Sequence, residues 1–185
     1  MSRATSSAGA NRRDRFDAVV SEVQYDAKYV FDTLGYNLLG SEVSAAFGLA
    51  QLDRLDTFIQ RRQRNVARLA AGLGPCTPTL LLPRQRSEVT TAWHAFPLVV
   101  RQGAPFSRRA LQAHLEARGI QTRPVLAGNL LRQPAMAGVP HRIGPGGTPN
   151  SDAVFLGGLL VGCHQGLDDD EVDTIIDAVT AVAGG

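Results

Sequence analysis

Lysine is almost missing from this chain: Lys28 is the only one, and nearly all of the positive charge is carried by arginine. Any chemistry that needs a lysine amine has a single candidate. Cysteine is nearly as scarce. Cys76 and Cys163 are far apart and have no partner at metal-ligand spacing, which excludes a disulfide framework and a cysteine zinc site and leaves both as small apolar residues. No apolar run approaches the ~20 residues of a membrane span. The polar opening "MSRATSSAGANRRDRFD" has no apolar stretch of the secretory kind, so a cytoplasmic protein is expected. A net charge of +2 gives no basis for nucleic-acid binding. His94, His114, His141 and His164 fall at no metal-binding spacing, and no metal site is expected. The nucleophile pattern G-x-S-x-G is absent, internal repeats are absent, and "GPGG" at 144–147 neither follows a strand nor opens a helix.

What remains is a chain of globular composition, 44% hydrophobic and 19% charged over 185 residues, with room for one core. Residues 1–24 read as a flexible, arginine-bearing lead. Residues 25–40 read as an ordered irregular segment around the turn Gly35-Tyr36-Asn37. A helix over 41–74 follows, with Ser41 as N-cap. Its apolar residues from Val43, Phe47 and Ala50 through Leu55, Phe58, Val66, Leu69 and Leu73 recur in a helical pattern. Straight, it would run roughly 45 Å, too long for a domain of this size to cover, so a bend or a bridge between two domains is expected. Residues 75–185 then alternate. A strand is expected over 91–101 and a helix from Ser107 to Gly119, stapled by Phe106 and Leu111. A short strand "IQTRPVL", a Gly- and Pro-rich loop over 127–152, a buried strand "GGLLVGC" and a final helix opening on "DDDE" complete the order. Such an order predicts an α/β (α+β) sandwich with helices over a mostly antiparallel sheet.

Three constellations carry chemistry, and each has a plain alternative. Asn37 can donate its amide to a phosphate that Gly35 lets approach, or it can satisfy its own turn. Within "TRPVLAGNLLRQP", Arg123 and Arg132 can hold phosphate while Asn129 and Gln133 bond sugar hydroxyls, or the stretch is a solvated surface loop. Arg61, Arg64 and Arg68 form either a phosphate stripe or a solvated helix face.

In succession, "GYNLLGSEVSAAFGLAQL", "TRPVLAGNLLRQP" and "GLDDDEVDTIIDAV" resemble the DegT/DnrJ/EryC1/StrS family of pyridoxal-phosphate enzymes, which act on nucleotide-linked keto-sugars. The second stretch is most similar to the 4-keto-6-deoxyhexose 3-dehydrase branch. The resemblance covers about residues 25–182. It implies the small C-terminal domain of the aspartate aminotransferase (type I) fold, with the long helix joining it to a large domain. It also implies that Asn37, flanked by Gly35 and Tyr36, reaches the coenzyme phosphate across a dimer interface. By the same resemblance Arg123, Asn129, Arg132 and Gln133 face the nucleotide-sugar.

Pyridoxal chemistry needs a carbonyl-reactive base, usually lysine and in the dehydrase branch histidine. In the family that base lies well upstream of the turn. Here 34 residues precede Gly35, Lys28 sits directly before the turn, and the first histidine is His94. No catalytic residue is therefore expected on this chain. It reads as the C-terminal portion of an aminotransferase or dehydrase, acting as a homodimer or with a separately encoded large-domain chain. A non-catalytic remnant or interaction module using the old dimer surface is the alternative.

Overall fold

The computed structural model describes residues 18–20, 22–25, 36, 38 and 40–184. The chain divides into two units, Met1–Leu52 and Asp53–Gly185.

In the first unit, β1 (Ala18–Val20) and β2 (Val23–Tyr25) form an antiparallel hairpin with Val20 opposite Val23. The β-branched valines of this hairpin favour strand geometry. Helix α1 (Glu42–Leu52) follows, and the Ser41 carbonyl accepts the Ala45 N–H at 3.0 Å, as an N-cap should. None of its residues is buried; Phe47 is 71% exposed, and Val43, Leu49 and Leu52 are also bare.

The single long helix expected over 41–74 is two helices. α2 (Leu55–Gly72) begins after a break at Asp53-Arg54. The reason is visible in the stripe: the positions three and four after Ala50 are Asp53 and Arg54, both charged, and the stripe resumes only at Leu55. The Arg54 guanidinium then lies 4.9 Å from the Phe58 ring centre.

The second unit is built on a four-stranded antiparallel sheet, β3 (Leu80–Leu81), β4 (Phe96–Val100), β6 (Gly158–Val161) and β5 (Arg123–Pro124), in the order β3-β4-β6-β5. Along β4, Phe96, Leu98 and Val100 alternate into the core with Pro97 and Val99 turned outward. Helices α2, α3 (Arg108–Glu116) and α5 (Asp169–Ala183) supply Leu69, Leu73, Leu111, Leu115, Val172 and Val179 to the same core. This is the α/β architecture that the helix and strand order implies. Cys76 and Cys163 are buried and unbridged.

Local signals account for most boundaries. The Ser107 hydroxyl accepts the Ala110 N–H at 3.2 Å, and of the staple residues Leu111 belongs to the core cluster while the partly buried Phe106 packs against it. At α5, Asp168 and Glu171 form a reciprocal capping box. Strand β4 starts later than expected because Trp93 adopts φ +34, outside strand geometry, with its carbonyl held by Arg62 at 2.8 Å. The loop expected over 127–152 ends instead in a helix, α4 (Pro149–Gly157), with Pro at N1. Gly157 closes α4 onto the sheet, since a Cβ there would sit 2.3 Å from the Val100 carbonyl oxygen.

Candidate functional site

The stretch after β5 is an ordered knot rather than a loose loop. Asn129 is only 4% exposed. Its Oδ1 accepts the Leu131 N–H at 3.0 Å, capping a 3-10 turn over Leu130–Arg132, and its Nδ2 donates to Asp152 Oδ1 at 2.8 Å. Arg132 Nε also donates to Asp152 Oδ1, and Thr148 Oγ1 donates to Oδ2 at 3.0 Å. One carboxylate on α4 therefore collects three donors. The Arg132 ion pair first, then Asn129, hold the Asp152 carboxyl down to about 2.

Two further contacts press the loop onto α4. The Arg132 guanidinium lies 5.6 Å from the centre of the Phe155 ring. Gly128 adopts φ +68 against Phe155, where an added Cβ would stand 2.5 Å from the Phe155 Cα. Gln133 Nε2 donates to the Ala127 carbonyl at 3.3 Å and tightens the turn.

Of the expected substrate contacts, Asn129, Arg132 and Gln133 come together here. Arg123 does not: it shares no hydrogen-bond partner with them and lines a separate cavity. The knot fixes orientation while keeping donors outward. The Arg132 side chain is half exposed, and with Nε committed its terminal N–H groups can still meet an anion. Asn129, by contrast, has its amide directed into the protein fabric. Asp152, Thr148 and Phe155 were missing from the sequence expectation. Asp152 lies 23 residues from Asn129 and 20 from Arg132, with no local pattern joining them. The readable signal was Thr148-Pro149, a cap residue followed by proline, which marks the start of α4.

The arginines of α2 are neither a free phosphate stripe nor a plain solvated face. Arg64 pairs with Asp169, Arg68 pairs with Asp173 at 2.5 Å, and Arg61 donates to the Gln165 carbonyl at 3.2 Å. The hydrogen bond to Asp173 raises the Arg68 pKa, and the same bond lowers that of Asp173. These side chains stitch α2 to α5, and as exposed pairs they contribute little stability.

Of the residues that the resemblance assigns to pyridoxal phosphate, Tyr36 is 95% exposed, while Gly35 and Asn37 lie outside the described residues, as does Lys28. The described residues contain no lysine. The described residues therefore offer no amine for a Schiff base with that coenzyme. No helix among the described residues is long and apolar enough to cross a membrane.

The geometry has relatives. The chain is 36% identical over 152 residues to the lipopolysaccharide biosynthesis protein RfbH of Salmonella typhimurium, covering 82% of this chain and 35% of RfbH. It is 37% identical over 169 residues to the dTDP-4-dehydro-2,6-dideoxy-D-glucose 3-dehydratase of Saccharopolyspora spinosa, covering 90% of this chain and 36% of that enzyme. Among solved structures, E. coli GDP-4-keto-6-deoxy-D-mannose-3-dehydratase with bound hydrated PLP superposes with a TM-score of 0.73 at 26% identity, over 89% of this chain and 41% of that one. The chain thus spans little more than a third of the length of these two curated relatives. A model of the DegT/DnrJ/EryC1/StrS aminotransferase family matches residues 5–180. The chain belongs to the DegT/DnrJ/EryC1/StrS aminotransferase family.

Proposed function

We propose that this chain is the C-terminal part of a cytoplasmic, pyridoxal-phosphate-dependent enzyme acting on a nucleotide-linked keto-sugar, on the 3-dehydratase side of the family. Its pathway class is deoxysugar or lipopolysaccharide biosynthesis. The observation that carries the reading is a likeness to 3-dehydratases combined with a shortage of chemistry. The relatives at 36% and 37% identity are a lipopolysaccharide biosynthesis protein and a nucleotide-sugar 3-dehydratase, yet the only lysine is Lys28, beside the turn, and all four histidines lie downstream of it. The carbonyl-reactive base then comes from polypeptide outside this sequence, and the chain is inactive alone.

Bound in the completed enzyme, pyridoxal phosphate supplies the electron sink for bond cleavage at the sugar. The contribution of this chain is binding and orientation. Asn37, with Gly35 and Tyr36 beside it, donates its amide to the coenzyme phosphate in a dimer partner or a separately encoded large-domain chain. The knot on Asp152 borders the substrate, with Arg132 presenting guanidinium N–H groups to the nucleotide-sugar phosphates and Gln133 shaping the turn. Asn129 acts by holding that turn in place. Arg123 stands apart at its own cavity.

Reduction by borohydride tests whether Lys28 serves as a carbonyl-reactive base. With pyridoxal phosphate present, the purified chain should gain no pyridoxyl group on Lys28, read by peptide mass. A stoichiometric adduct there would overturn the proposal. The bare apolar residues of α1, with Val43 and Phe47 one turn apart, favour a second reading as well, a non-catalytic interaction module using that surface. The two part on whether a large-domain polypeptide of the family restores turnover.

A further inference from the structure

A cavity of about 450 Å³ lies within the second unit, in the size range of small-molecule sites. The chain leaves β5 for the knot at Pro124, and β6 starts beside α4 at Gly158. The cavity sits at the other end of both strands, next to Gln121 and Gly162. No residue of the knot lines it.

Its walls divide by chemistry. Leu160, Leu167 and Ile175 give an apolar floor, and Arg118 and Arg123 supply two guanidiniums. Among the described residues neither arginine forms an ion pair. Arg118 Nη1 lies 3.1 Å from His114 Nδ1 and donates to the His114 carbonyl at 3.3 Å, and Arg123 Nη1 donates to the Thr122 carbonyl at 2.8 Å. Each guanidinium has five N–H groups, so most stay available. Two acids stand close, Glu171 on the cavity wall itself and Glu116 within the electrostatic reach of Arg123, and each already accepts hydrogen bonds. Glu171 Oε2 accepts the Asp168 N–H in the capping box, and Glu116 Oε1 accepts both the hydroxyl and the N–H of Thr122. His164 adds a donor: its Nδ1 accepts the Gly166 N–H at 3.1 Å, so the neutral ring carries its proton on Nε2.

We propose that this cavity binds a small amphiphilic anion, its carboxylate or phosphate held by Arg118 and Arg123 and its apolar body lying on Leu160, Leu167 and Ile175. Such a site shares no residue with the knot on Asp152 and does not depend on it. Two guanidiniums above an apolar floor match a ligand with one charged and one greasy end. A bare inorganic ion would leave the floor wet, and a neutral body would leave the guanidiniums without their strongest partner.

The test titrates the chain with benzoate and with phenyl phosphate, using benzamide and inorganic phosphate as controls. Emission of Trp93, which adjoins His94 on the cavity wall, and the amide resonances of Gln121 and Gly162 report binding. One of the two anions should bind saturably at sub-millimolar concentration, and which one binds tighter identifies the headgroup. Arg118→Gln and Arg123→Gln should each weaken it about tenfold, the loss of one charge-assisted contact. Gly162→Ala is the third variant. Its Cβ would lie 3.7 Å from Leu167 Cδ1 and 3.8 Å from His164 Cδ2, ordinary contacts that leave the fold intact while occupying ligand space, so it too should weaken binding. Absence of saturation with both anions, or affinity indifferent to both arginine changes, would overturn the proposal. Equal binding of benzamide would do the same, as would inorganic phosphate binding as tightly as phenyl phosphate.

Discussion

Replacing Gly128 by alanine should unlock the knot without touching any of its polar groups. Gly128 sits at φ +68, and an added Cβ would meet the Phe155 Cα at 2.5 Å and its Cβ at 2.9 Å. Carbon atoms rest at about 3.5–4.0 Å, so the loop and α4 must part by about 1 Å. The Asn129–Asp152 bond, now 2.8 Å, does not survive that stretch. Left-handed backbone for alanine costs about 1 kcal/mol, and a buried amide deprived of its partner about 1–3 kcal/mol, so the variant should lose roughly 2–4 kcal/mol. Urea unfolding followed by Trp93 emission is the assay, because Trp93 packs against the core of the second unit. With a typical denaturant slope the midpoint should fall by about 1–2 M. Asn129→Ala alone should cost about 1–3 kcal/mol, and the double variant less than the sum, since the first change has already broken what the second removes. An unchanged midpoint for Gly128→Ala, or strictly additive losses, would refute the idea that Phe155 and Asp152 hold one unit.

The Asp152 carboxyl is depressed to about 2 from an ordinary 3.8, so its contribution is complete above that ordinary value and disappears as pH falls towards 2. The Asn129 side-chain amide, followed by NMR, should titrate near the depressed value, and a midpoint at the ordinary one would show the carboxylate is not engaged. Phe96→Ala, in the fully buried core of β4, should lose about 3–5 kcal/mol in the same urea assay, and a loss below about 1 kcal/mol would contradict the core assignment. Phe47→Glu on the bare face of α1 should reduce self-association in sedimentation velocity, whereas an unchanged profile would mean that face is not adhesive.

Local rules of the sequence proved sufficient wherever the chain speaks to its near neighbours. Ser107 with Phe106 and Leu111, and Asp168 with Glu171, mark helix starts through contacts three to five residues apart, and both starts stand where those residues place them. The antiparallel order of the second unit was equally legible, because strands and helices alternate there with clear punctuation. Errors arose where phase or distance matters. The apolar stripe of the long helix slips at Asp53-Arg54, and a count that passes over one missing position does not see the break. Helix α4 was hidden because Ala153 to Leu156 form a short apolar run without a helical stripe, preceded by glycine and proline. The site was half visible. Asn129, Arg132 and Gln133 stood out as a polar cluster, but their organiser is Asp152, brought in by α4 from twenty residues downstream. Nothing in the sequence joins Arg123 to a cavity instead of to that cluster, because the division depends on which end of β5 each residue occupies.

The account stands on the carbonyl-reactive group lying outside this polypeptide. The most direct measurement is turnover of a nucleotide-linked 4-keto-6-deoxysugar by the purified chain with pyridoxal phosphate, with and without the large-domain portion of a related 3-dehydratase. The account predicts no product from the chain alone and product on mixing. Product formed by the chain alone would contradict it.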